Sequence, residues 1–307
     1  MVGPDSHRAA LRADCAQCLG LCCVVPGFSA SSDFAISKPP GTPCRHLRTD
    51  FGCGIHDRLR AKGFPGCTAY DCFGAGQKVA QVTFGGTDWR DRPDVAAQMF
   101  AAFPIMRRLH ELLWYLSDAM ALAGADDVRG DLAEAYDETE RLSRLGADQL
   151  IALDLTEHSG AVNRLLDQTS RLVRAGTRHP DLDRRGADLV GRNLRAVDWS
   201  GAMLCGALMI GADLRHADLS GADVIWADFR GADLRGAELT GTIFLIQSQL
   251  DVAVGDAATR IDDTLRRPAH WSATQDGATS GPQPGRSESR RRRPAPRTDR
   301  AARRGRG

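Results

Sequence analysis

From Leu189 to Phe244 a large apolar residue falls at every fifth position: Leu189, Leu194, Trp199, Leu204, Met209, Leu214, Leu219, Val224, Phe229, Leu234, Leu239 and Phe244. Two places before most of them stands a small one, Ala187, Ala202, Ala207, Ala212, Ala217, Ala222, Ala227, Ala232 or Ala237. Asp or Glu usually separates the two, and Gly most often closes the unit. A period of five fits neither an α-helix nor a strand, and a fixed short period indicates stacked coils. One large and one tiny side chain per unit suit a narrow square interior, with glycine easing each corner.

Units such as Ala212-Asp213-Leu214-Arg215-His216 match the A(D/N)LxG-like unit, and the stretch resembles the pentapeptide-repeat family. That resemblance implies a right-handed quadrilateral β-helix over 187–246, four units per turn, with the Leu or Phe and the preceding Ala pointing inward. Twelve units make three coils, ~14 Å tall at a spacing of ~4.8 Å. Arg192 and Val197 in place of the small residue, and Trp199 and Met209 in place of Leu or Phe, predict a distorted first coil. Open ends need covers. Residues 247–271 read as a closing cap segment, with a short helix ending at Gly255, and the helical segment is expected to help close the other end.

Folding the repeat at twenty residues per turn sorts the outward side chains by face. One face is an acidic column of Asp198, Asp218 and Glu238; the next is an apolar wall of Met203, Cys205, Ile225, Trp226, Ile243, Leu245 and Ile246. A third alternates Asn193, Arg195, Asp213, Arg215, Asp233 and Arg235, which pair and stay solvated. An exposed wall of this size marks an interface. It is expected to pack on helices of the same chain or to form a homodimer through Met203, Ile225, Trp226, Ile243 and Leu245.

Residues 93–175 carry a helical pattern. Ile105, Leu109, Leu112, Leu113, Leu116 and Met120 recur at steps of three, four and seven, Leu142 and Leu145 share a second helix, and Leu165, Leu166, Leu172 and Val173 a third. Trp114, Tyr115 and His110 read as core residues. Residues 176–186, with Pro180, read as a charged linker.

Eight of nine cysteines lie between Cys15 and Cys72, in a stretch (15–85) broken by Gly and Pro that favours loops. Cys15-x-x-Cys18-x-x-x-Cys22-Cys23 precedes Cys44, Cys53, Cys67 and Cys72, with His46 and His56 as alternate ligands. Two thiolates separated by two residues close on one tetrahedral ion. Vicinal Cys22 and Cys23 point apart, so one ligates while the other packs or serves a second site. The segment resembles the putative zinc- or iron-chelating domains known for eight cysteines and a CxxCxxCC-type opening, although three residues stand here where that opening has two. Zinc held by four sulfurs is structural and supplies folding energy to a loop-rich segment; iron or an iron-sulfur cluster takes the same thiolates. The alternative is that several cysteines pack as small apolar residues. Cysteine segment, helices and repeats together resemble a group of actinobacterial pentapeptide-repeat proteins over most of 13–271.

The 307 residues carry a net charge of +1, yet 286–307 alone carry +8 from ten arginines against Glu288 and Asp299, so the rest is acidic. Residues 272–307 are too polar to form a core and are expected to be a disordered Arg-rich tail, binding nucleic acid at most weakly and non-specifically. Residues 1–14 are a polar, flexible N-terminus without an apolar signal core, and no run of 18 apolar residues occurs, which predicts a cytoplasmic protein without membrane contact.

No GxSxG, HExxH or phosphate-loop lysine motif occurs, and Gly74-Ala75-Gly76 lacks the third glycine of a dinucleotide loop. No catalytic residue is assigned, and the chain reads as a non-enzyme. The expected function is a cytoplasmic metal-binding scaffold or interaction protein that binds a protein partner through the solenoid. The alternatives are a thiol-based redox or metal sensor and a DNA-mimic modulator of gyrase, a role some pentapeptide-repeat proteins have. Mimicry needs dense negative charge, and 187–246 hold eight acids against five arginines.

Overall fold

The structure is a computed structural model that describes residues 8–271. The expectations for the Arg-rich tail 272–307 and for the first seven residues lie outside the described residues.

Helix α1 (Pro93–Ala121) starts where Pro93 needs no hydrogen-bonded N–H and Asp94 faces the positive helix end. Its apolar stripe is buried along its length, at Met99, Phe103, Met106, Leu109, Leu112, Leu113 and Leu116. The first half packs on Leu21, Val24, Ala75 and Val79 of the cysteine module. The second half packs on Ile225, Ile243, Phe244 and Ile246 of the solenoid. One long helix therefore serves as the common wall of both modules. Helices α2 (Arg129–Ser143), α3 (Ala147–Ile151) and α4 (Thr156–Arg174) flank it. No helix among the described residues is long and apolar enough to cross a membrane.

The repeat winds as a four-sided β-solenoid. Parallel bridges join residues twenty apart, from Asp183–Met203 through Asp223–Ile243. Backbone bonds run to both neighbouring coils: Leu214 N–H donates to Asp233 O at 2.9 Å and Asp213 N–H to Arg192 O at 2.9 Å. The interior holds the expected pairs, Ala202, Ala207, Ala212, Ala217 and Ala222 alternating with Leu204, Met209, Leu214, Leu219 and Val224, all buried.

Four features differ from the sequence expectation. The ladder begins at Asp183, inside the stretch read as a linker, because backbone pairing with Met203 and Cys205 needs no pentapeptide side-chain pattern. Phe244 does not point inward. It packs in the cluster shared with α1, edge-on to Tyr115 with centroids 5.8 Å apart, and Leu245 joins the interior cluster instead. The capping helix α5 runs only over Gln247–Val252, after which Val254 and Arg260 re-enter the ladder. Finally, Trp199 and Met209 fit the interior, and the irregularity of the first coil is one of cover: Leu182, Leu189, Leu194 and Val197 are only partly buried.

The solenoid's two ends contrast. At the C-terminal end Leu250, Ala253 and Trp271 complete the interior cluster, and Trp271 lies so close to Gly255 that a Cβ there would sit 2.5 Å from the ring. At the other end no residue of α1–α4 enters the interior cluster. The helices cover the solenoid's side, where Arg174 donates to the Pro180 and Gly201 carbonyls at 2.8 Å and buried Asp223 accepts from Ser170.

Candidate functional site: a thiol cluster beside a half-open solenoid

The cysteine module contains the same loop twice. Cys18-Leu19-Gly20 and Cys72-Phe73-Gly74 each turn through two successive left-handed residues, with φ of 51° and 69° in the first and 50° and 75° in the second. A short helix follows each, Leu21–Val24 and Ala75–Gln77. The turn aims backbone N–H groups at the sulfur: Gly20 and Leu21 donate to Cys18, and Gly76 and Gly74 donate to Cys72. Amide donors around a sulfur favour the thiolate, the form that binds metal.

The peptide after each cysteine is held alike. Trp89 Nε1 donates to the Leu19 carbonyl at 2.9 Å, and His110 Nδ1 donates to the Phe73 carbonyl at 2.7 Å. Asp71 Oδ1 accepts from Phe73 N–H at 2.7 Å, tightening the second loop. The two loops abut, since a Cβ on Gly76 would meet Cys18 Cβ at 2.8 Å and its Sγ at 3.3 Å.

Six further cysteines surround this pair. Cys22 shares hydrogen bonds with Cys18 and Cys23, so three thiols form a chain. The bond with Cys22, then burial, pushes the Cys18 thiol far up. For Cys22 the bond from Cys18 lowers its pKa, but the bond to Cys23 and burial outweigh that, and it too ends raised. Cys15 opens a turn capped by Asp14 and is raised by burial and then by Cys18 and Cys72. Cys44 and Cys53 sit on a small hairpin closed by the Leu47–Cys53 bridge. Cys67 lies in the helix Pro65–Ala69 and is pushed up to about 11 by burial, then by Cys44 and Cys53.

All eight cysteines are free thiols, and among the described residues no three His, Cys, Asp or Glu side chains converge closely enough to hold a metal ion. Of the two alternate ligands, His46 packs edge-on to Phe64 with centroids 5.1 Å apart, and His56 is exposed. The sulfurs and their amide donors are of the kind a thiolate-bound metal uses, but the described geometry does not bring three of them together. The holding groups Trp89 and His110 escaped the sequence reading; the repeated Cys-x-Gly was the available signal.

On the solenoid, the wall residues Met203, Ile225, Ile243 and Leu245 are buried, and Trp226 is partly buried, edge-on to Tyr115 with centroids 6.0 Å apart. Lone Cys205 sits beside this contact, pushed up to about 11 by burial. The acidic column is paired at both ends: Asp198 with Arg178 and His179, and Glu238 with Arg260. Asp213, Asp228 and Asp233 each pair with the arginine two residues on.

Fold and repeat define a pentapeptide-repeat protein. The pentapeptide-repeat family matches in eight copies, at residues 185–221 and 207–244. The chain is 53% identical over 270 residues to "Uncharacterized protein YybG" of Bacillus subtilis (strain 168), covering 87% of this chain and 97% of that one. It therefore belongs to the YybG-like pentapeptide-repeat proteins, within a family whose members often mediate protein interactions. Two solved structures are also similar, both from Nostoc PCC 7120. Alr5209, a pentapeptide-repeat protein, is 34% identical, covering 26% of this chain and 75% of that one, with a TM-score of 0.21. HetL, a pentapeptide-repeat protein involved in the regulation of heterocyst differentiation, is 34% identical with a TM-score of 0.21. The match covers 24% of this chain and 36% of HetL.

Proposed function

We propose that this protein is a metal-stiffened interaction scaffold: the cysteine module holds a structural zinc, and the solenoid offers its open first coil to a protein partner. The observation that carries the reading is the contrast between the ends. Leu182, Leu189, Leu194 and Val197 stay half covered, with Val190 at 49% and Leu208 at 42% exposure beside them, whereas Trp271 closes the opposite end. The first coil has a second coil below it, and its far side carries backbone groups free to pair with an added strand. The apolar wall, buried on α1, does not serve as the docking face.

Zinc would be bound by Cys18 and Cys72, whose loops already direct amides at sulfur, with two further thiolates drawn from Cys15, Cys22, Cys23, Cys44, Cys53 and Cys67. Its chemistry is to fix loops with little core of their own and to release protons on binding. Thiols pushed upward are poor nucleophiles, which weighs against the redox-sensor reading. Paired aspartates weigh against a DNA mimic.

Two measurements test the proposal. Metal analysis with an absorbance spectrum should give stoichiometric zinc and no visible bands; iron with visible bands replaces zinc by a cluster, and metal-free thiols overturn this half. A photo-crosslinking residue at Val190 should capture one defined protein, and the adduct should vanish when Leu189→Arg is added. Identical products from positions 190 and 215 would overturn the docking half.

A further inference from the structure

Of the 40 basic residues only Lys38, Lys62 and Lys78 are lysine. Lys38 has an evident structural task, donating to the carbonyls of Val24, Pro39 and Thr42 at 2.8, 3.1 and 2.8 Å. Lys62 is exposed. Lys78 lines a cavity of about 310 Å³ between the N-terminal segment, α1 and α2, and its ammonium makes no ion pair or hydrogen bond among the described residues.

The cavity's walls are mainly apolar, from Leu11, Val82 and Leu113, with His110 and Tyr136 also lining it. Lys78 opens a full turn of π-helix, Lys78–Thr83, a geometry often found at functional sites. Val82 on that turn is 65% exposed at the cavity, the largest exposure of any large apolar residue among those described. Burial, then the nearby Arg144, lowers the Lys78 amine. Burial holds His110 down at about 4, so its imidazole is neutral and adds no second charge.

We infer that this cavity is a binding site for a small organic carboxylate with an apolar body, its carboxylate on the Lys78 ammonium and its hydrocarbon between Leu11, Leu113 and Val82. Glu140 also lines the cavity, but its carboxylate is held by Arg144 at 2.6 Å, which leaves the Lys78 ammonium as the cation without a hydrogen-bonded partner, suited to a single negative charge. A phosphate, with more charge and more acceptors, would meet the Glu140 carboxylate, and the polar donors of the lining are engaged: His110 Nδ1 with the Phe73 carbonyl, and Gln77, Gln81 and Ser143 with the Arg12, Gln17 and Glu140 carbonyls. The volume lies at the small end of ligand pockets. Lysine suits such a site better than arginine, since a compact ammonium on a flexible stem pairs with one carboxylate without needing a planar, two-point partner.

Scarcity of lysine makes the test direct. Full-length protein labelled at lysine Cε gives three resonances, and Lys78→Gln, or Lys78→Arg should the first variant not fold, identifies the one from the cavity. Titration with benzoate should move the Lys78 resonance to saturation and leave Lys62 in place. Inorganic phosphate and benzyl alcohol should bind at least about tenfold more weakly, the worth of one lost ion pair or lost apolar contact at a partly buried site. Parallel movement of Lys78 and Lys62, equal response to phosphate, or no saturable movement with millimolar benzoate would overturn the assignment.

Discussion

The solenoid and the cysteine module use the same left-handed backbone, but they are crowded differently around it. At the solenoid corners Gly191, Gly206 and Gly211, nothing lies within 4 Å of where a Cβ would go. Ala196, His216 and Trp226 occupy equivalent corners with φ of 55–59°. In the cysteine module a Cβ on Gly74 would meet the Ala10 carbonyl at 2.9 Å, and one on Gly76 would meet Cys18 at 2.8 Å. Repetition spreads the demand over many corners, several of them open, although a Cβ on Gly201 would collide with Thr177 and one on Gly236 with His216. The paired cysteine loops place it at a few positions packed against fixed neighbours, the Ala10 carbonyl at Gly74 and the Leu47 side chain at Gly20.

The largest effect should come from the solenoid interior. Leu219 is fully buried between Trp199 and Leu239, one coil to either side. Leu219→Ala should cost about 3 kcal/mol, in the range for a large-to-small change where neighbouring coils cannot collapse. Leu189→Ala, in the half-covered first coil, should cost about 1 kcal/mol, since part of its surface already meets solvent. Urea denaturation of both variants checks the contrast. Equal losses would mean that the first coil is as well packed as the second, and the open end would lose its support.

How far each region could be read in advance follows from the same difference. The five-residue period is a local signal repeated twelve times, so the interior residues of the solenoid were legible one by one. The period could not show that the chain leaves the coil at Phe244, because the residue keeps the rhythm and only Tyr115, far away in sequence, draws it outward. In the cysteine module the ligand candidates were legible as cysteines, but their geometry depends on Trp89, 70 residues from Leu19, and on His110, 37 residues from Phe73. Such contacts carry no periodicity. The buried chain from Arg174 through Ser170 to Asp223 was hidden likewise, since it joins a helix to one of the repeat's acids across about fifty residues of sequence.

A middle-sized effect distinguishes crowding from backbone preference. Gly76 does not have a positive φ and lies in the short helix Ala75–Gln77, so helix propensity alone would make Gly76→Ala stabilising by about 1 kcal/mol. Its contact with Cys18 Cβ works the other way, and overpacking against a fixed neighbour costs about 1–3 kcal/mol. The clash should win because Cys18 is itself tied by the Gly20 and Leu21 amides. Gly76→Ala should therefore lower the melting temperature and, for the zinc proposed above, weaken retention against a chelator. A stabilised variant with unchanged retention would show that the two loops do not abut as tightly as 2.8 Å requires.

The smallest effect probes the solenoid side of the comparison and has the less intuitive sign. Ala196 is exposed and sits at a corner with φ of 55°, a conformation that costs a residue with a Cβ about 1–2 kcal/mol. Glycine there escapes that cost but loses about 0.5–1 kcal/mol through the greater freedom of its unfolded chain. The backbone strain is the larger of the two, so Ala196→Gly should stabilise the protein by up to about 1 kcal/mol although it removes a methyl group. The same change at Ala202, buried in the interior and lacking the left-handed backbone, should destabilise it. Opposite shifts in urea midpoint for these two substitutions would show that corners of the coil are set by backbone conformation and its faces by packing; shifts of the same sign would remove that distinction.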